Sequence, residues 1–75
     1  MTRIEFTVRR QGRSWYVDVG QDTHGPYLSR TDALADAIDA ADDAGKKRAH
    51  AVVLVKESPH DATVVWTYGK DTVHK

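Results

Sequence analysis

The sequence predicts an α+β domain of two layers in the order ββαββ: a four-stranded, mostly antiparallel sheet with one helix packed on one face. Three observations lead there. Apolar and polar residues alternate over residues 4–8 and 15–19, a Val-rich alternation returns at 51–68, and between them lies one segment with helical spacing. At 75 residues the chain is one domain, 1–75, near the lower size at which a core alone sustains a fold.

The first hairpin is "RIEFTVRRQGRSWYVDVG". A two-residue turn at Gln11-Gly12 would set Val8 opposite Trp15, Phe6 opposite Val17 and Ile4 opposite Val19, so that apolar residues meet on one face. The same register sets Glu5 against Asp18, a like-charge conflict. After it, Gly25-Pro26 reads as a bend and Tyr27-Leu28 as a short extended lead into the helix.

The helix is "TDALADAIDAADDAGKKR", with Leu34, Ala37, Ile38 and Ala41 on one side and Asp32, Asp36, Asp39 and Asp43 on another. Thr31 is the expected N-cap, with Ser29-x-x-Asp32 as a competing capping box. Asp42–Lys46 and Asp43–Lys47 are favourable i,i+4 pairs, and Gly45 marks an early end somewhere between Ala44 and Arg48.

The second hairpin turns at Ser58-Pro59-His60-Asp61, with Pro in the second position of a type I turn. A four-residue loop pairs Val55 with Val64, Val53 with Trp66 and Ala51 with Tyr68 on one face. Leu54 with Val65 and Val52 with Thr67 then fall on the other. The expected core is Ile4, Phe6, Val8, Trp15, Val17, Leu34, Ile38, Val53, Val55 and Trp66. Trp66 and Tyr68 should close it over the helix, with Gly69 ending the strand and Lys70 and Asp71 in solvent.

These pieces resemble the small bacterial proteins grouped as domain of unknown function (DUF) 2188. The matching stretches are "WYV" at 15–17, "TDALADAIDAA" at 31–41, "VVLV" at 52–55 and "TYGKD" at 67–71. The likeness spans nearly the whole chain. It departs from the family at Ser58-Pro59-His60-Asp61, where members often carry a Gly-containing hairpin, and at His24-Gly25-Pro26-Tyr27. The resemblance implies the ββαββ arrangement and a bacterial or phage source, and it carries no activity.

Composition narrows the function classes. There is no cysteine, so disulfides and thiolate metal sites are excluded, and a reducing cytoplasm is the expected setting. Met1-Thr2-Arg3-Ile4-Glu5 enters the alternation directly without an apolar leader, and the longest apolar run is the five residues from Ala51 to Val55; neither a signal peptide nor a membrane span is expected. Formal charge is zero but uneven: residues 1–16 carry net +3, residues 17–45 net −6, and residues 46–75 net +3. Such a chain lacks the general field that draws in nucleic acid.

No constellation points to chemistry. His24, His50, His60 and His74 lack ligand spacing, and Asp39, Asp42 and Asp43 lie on a helix face rather than in a calcium loop. Ser14, Ser29 and Ser58 have no nucleophile-elbow context, and no Gly-rich phosphate loop exists. The expectation is a non-enzymatic interaction module with no catalytic, cofactor or metal residues and no small-molecule substrate. Its surface would be the second sheet face, with Val52, Leu54, Val65 and Tyr16 meeting a second copy or a protein partner, because a central strand apolar on both sides is usually covered on both. The alternative is a weak single-stranded nucleic-acid binder using Arg9, Arg10 and Arg13 of the first hairpin.

Overall fold

The computed structural model describes residues 3–47, 50–58 and 60–70. It is α+β, with strands β1 (Arg3–Gln11), β2 (Ser14–Val19) and β3 (Asp22–Tyr27), helix α1 (Arg30–Lys46), then β4 (His50–Ser58) and β5 (Asp61–Thr67). The sheet has five strands in the order β3-β2-β1-β4-β5, not four. Three neighbouring pairs are antiparallel and β1–β4 is parallel, which makes the sheet mixed.

The added strand is β3, where a bend was expected. Pro26 lacks an N–H, but β3 is an edge strand and only one of its sides needs donors. The Gly25-Pro26 bond is cis, and Gly25 sits at φ +131 with no room for a side chain: an added Cβ would lie 2.9 Å from the Trp15 carbonyl oxygen.

The first hairpin turns one residue later than expected. Gln11 pairs with Ser14, so Gly12 and Arg13 form the turn, with Gly12 at φ +63. Glycine in the first position of a two-residue hairpin loop is the II′ signature. Phe6 therefore faces Val19, Val8 faces Val17, and Trp15 faces Arg10 rather than Val8. Thr7, not Glu5, stands opposite Asp18, and the like-charge conflict disappears.

In the second hairpin Val53–Trp66 and Val52–Thr67 pair as expected, and the Tyr68 N–H donates to the Ala51 carbonyl at 3.0 Å. Past Trp66 the register slips by a bulge: Leu54 faces Val64 and Val55 faces Thr63, leaving Val65 as the extra residue. Pro59 of the turn lies outside the described residues.

Helix α1 begins one residue before Thr31. Ser29 is the N-cap, with extended backbone and its hydroxyl accepting from the Asp32 N–H at 3.1 Å. The seam against the sheet is Ala33, Ala37, Ala41 and Gly45, a strict i,i+4 row, while Leu34 and Ile38 flank it half-buried. Small side chains let the helix lie close to the sheet. Gly45 does not end the helix. It is buried because the Tyr68 ring occupies the space a Cβ would take, 2.1 Å from the ring's Cγ. Lys46 and Lys47 pair with Asp42 and Asp43 at 3.0 and 3.3 Å, as the spacing predicts.

Beneath the helix the core is Phe6, Val8, Val17, Ala51, Val53, Val55 and Trp66. Ile4, Trp15, Leu34 and Ile38 are half-buried around it instead of central. Trp66 and Tyr68 meet edge to face, ring centroids 6.3 Å apart, and close the β5 side of this layer.

Candidate interaction surface on the open sheet face

Among the described residues one helix covers the sheet, so alternation sends every second side chain of each strand to a face that those residues do not cover with a second layer. The pairing register puts Glu5, Thr7 and Arg9 of β1 there, beside Val52, Leu54 and Lys56 of β4 and Tyr16 and Asp18 of β2. Val64 and Thr67 join them from β5.

Half of this face is a polar cluster. The Arg9 guanidinium donates to Asp18 at 2.5 Å, donates again to Gln11 Oε1 at 2.9 Å, and lies 5.1 Å over the Tyr16 ring. The Thr23 hydroxyl of β3 donates to the other Asp18 oxygen at 2.8 Å. The Arg9 hydrogen bond holds the Asp18 carboxyl below its ordinary range, with the Thr23 bond and the Lys56 charge acting in the same direction against desolvation. The same bond to Asp18 raises Arg9. These groups satisfy one another, and the arrangement is a brace across β1, β2 and β3.

The other half is apolar. β4 is buried at Ala51, Val52, Val53 and Val55. Val52 is only 7% exposed although it lies outside the cluster beneath the helix. Leu54 is half-buried, and Val64 and Val65 are exposed, at 47% and 38%. Of the four residues the sequence singled out, Val52, Leu54 and Tyr16 share the open face and Val65 lies at its β5 edge. Tyr16 is two strands away from Leu54, with Thr7 and Arg9 between, so it belongs to the polar half. Val64 was missed because the unbulged register turned it inward. The doubled valine in an edge strand was the available signal.

The three hairpin arginines do not form one patch. Arg9 is committed to Asp18, Arg10 alternates to the opposite face of β1 and donates to the Gly12 carbonyl at 3.0 Å, and Arg13 sits in the turn. His24 on β3, His50 on β4 and His60 in the turn before β5 are all exposed, and His74 lies outside the described residues. No group of three or more His, Asp or Glu side chains that could hold a metal ion occurs among the described residues. Ser29 is spent on the helix cap, and Ser58 donates to Asp61 at 3.3 Å.

Two of the hollows among the described residues bear on these surfaces. One, of about 590 Å³, is a broad depression beside Arg3, Glu5, Thr7 and Asp18, where Arg3 pairs with Glu5 at 3.1 Å and Asp18 with Arg9. The second, of about 90 Å³, lies between α1 and the β2–β3 side of the sheet. Beside it the Tyr27 hydroxyl donates to Asp36, a bond that with burial pushes the phenol up to about 12. No helix among the described residues is long and apolar enough to cross a membrane. Comparisons with protein-family models, curated proteins and solved structures found no match.

Proposed function

We propose that this chain is a small non-enzymatic interaction module of the cytoplasm that docks a protein surface, from a partner or a second copy, on the apolar half of its open sheet face. The observation that carries the reading is β4, whose Val52 and Val53 are both buried while a helix covers only the Val53 side. Leu54, Val64 and Val65 extend that apolar strip to β5, the edge strand among the described residues. A relationship to the DUF2188 proteins is proposed on the quoted motifs alone.

The test is a pair of surface substitutions. Val52 is already packed and a charge there would strain the monomer, so Val64→Lys with Val65→Lys is the better probe. The double variant should keep the wild-type far-ultraviolet circular dichroism and weaken association in sedimentation velocity or partner capture. Association and partner capture as strong as wild type with both lysines in place would refute the reading. The nucleic-acid alternative is less well supported, since one of its three arginines is neutralised and the others diverge. Submicromolar binding of short single-stranded DNA or RNA at ~0.15 M salt would reverse that order, because a few dispersed cations release too few counterions to survive there.

A further inference from the structure

We propose that two copies of this chain associate through the β3 side, with Leu28 of each seated in the other's cleft between α1 and the sheet. This contact is separate from the open face. Leu28 is 93% exposed, the most exposed large apolar side chain among the described residues. It is held outward from both sides: Tyr27 before it is tied to Asp36, and Ser29 after it caps the helix. With the residues on either side anchored, docking orders little of the chain around Leu28.

The hole fits the knob. The cleft is lined by Phe6, Val17, Val19, Ala37 and Ala40, with His24 and Asp36 beside them, and measures about 90 Å³. That is smaller than the ~150 Å³ apolar cavity that accepts benzene, and suits one branched aliphatic side chain. Knob and hole lie on the same side of the molecule, since Leu28 joins β3 to α1 and the cleft opens between those elements. A two-fold contact requires such self-complementarity.

One cation fits the same occupant. Arg30 is the only cation in residues 17–45, among seven Asp. It is exposed and belongs to none of the ion pairs among the described residues. An incoming Leu28 brings its own Arg30 towards the helix that carries Asp36, Asp39 and Asp43. Each copy carries net −6 over residues 17–45, and the Arg30 contact offsets part of the repulsion between those two acidic segments.

Sedimentation velocity over a concentration series tests this with Leu28→Lys, which removes the knob, and Ala40→Gln, which obstructs the hole at an exposed helical position. Wild type should shift from monomer to dimer, and each variant should lower the association constant about a hundredfold or more, the worth of burying the two leucines of a two-fold contact. A mixture of the two variants should recover part of the association, because one intact Leu28 then meets one intact cleft. Val64→Lys with Val65→Lys should leave this contact unchanged, so failure here is distinct from failure on the open face. A wild type that stays monomeric at millimolar concentration, or a Leu28→Lys variant that dimerises like wild type, overturns the proposal.

Discussion

Replacing Gly45 by Ala separates helix propensity from packing, because the two predict opposite signs. By propensity alone the change should stabilise a 17-residue helix by ~0.8–1 kcal/mol. The structure predicts otherwise. The new Cβ would lie 2.1, 2.3 and 2.5 Å from Cγ, Cδ1 and Cδ2 of Tyr68, where carbon atoms rest at ~3.5–4.0 Å. Either the helix lifts, an overpacking cost of ~1–3 kcal/mol, or the ring leaves. Departure of the ring forfeits part of its ~1.5–3 kcal/mol of burial and the ~0.5–1.5 kcal/mol of its edge contact with Trp66. Set against the propensity gain, the net loss is about 1–2 kcal/mol. For a domain of this size that lowers Tm by about 5–15 °C. The assay is thermal and urea unfolding of four proteins: wild type, Gly45→Ala, Tyr68→Ala and the double variant. With the ring removed, Gly45→Ala should become stabilising by ~0.5–1 kcal/mol. A Gly45→Ala protein that melts above wild type with Tyr68 intact would refute the reasoning.

Two further outcomes can be checked on the same instrument. Phe6→Ala should cost ~3–5 kcal/mol, enough to unfold a domain whose total is ~3–5, and a sharp transition near the wild-type Tm would show that Phe6 is not central. Asp18→Asn should destabilise at pH 7 by ~1 kcal/mol or less, since Arg9 and Asp18 are only partly buried. Because folding lowers the Asp18 pKa, the pair's contribution is fully present above the ordinary carboxylate value of 3.8 and fades as pH falls through the lower folded value. The gap between wild type and Asp18→Asn should therefore close in that acid range, and a gap that widens there would contradict the assigned pairing.

Alternation was legible where it was long. Phe6, Val8 and Val17 share the core face as their period-two spacing requires, and the i,i+4 ion pairs of α1 follow from spacing alone. Register was less legible because it depends on a single turn residue. Moving the turn from Gln11-Gly12 to Gly12-Arg13 shifts every partner, and the Glu5–Asp18 clash is the sign in the sequence against the Gln11-Gly12 register. With the correct register the Arg9–Asp18–Tyr16 brace follows, which no local pattern reveals. β3 escaped because Gly-Pro carries the ordinary signal of a bend, and only its edge position makes a strand of it. Gly45 misled for a related reason: its role is to leave room for a ring 23 residues away in sequence.

The place of the cleft on the β3 side follows from a mismatch of widths. Five strands at ~4.8 Å spacing span about 19 Å between the outermost backbones, whereas one helix with its side chains is ~10–12 Å across. A single helix therefore cannot cover such a sheet from edge to edge. α1 packs chiefly over β1 and β4, the parallel pair, and touches β2 and β3 less. The uncovered margins are filled by aromatics, Trp66 and Tyr68 on the β5 side and Trp15 and Tyr27 on the β3 side. On the β5 side the two rings meet each other, and Tyr68 reaches the helix backbone at Gly45, so that margin is closed. On the β3 side Tyr27 instead spends its hydroxyl on Asp36, and the helix offers only Ala37 and Ala40 to the space beside it. Small residues chosen to bring the helix close to β1 and β4 thus leave a gap over β2 and β3. The cleft is a consequence of the close central packing, and the exposed Leu28 beside it is the side chain of the right size to fill it.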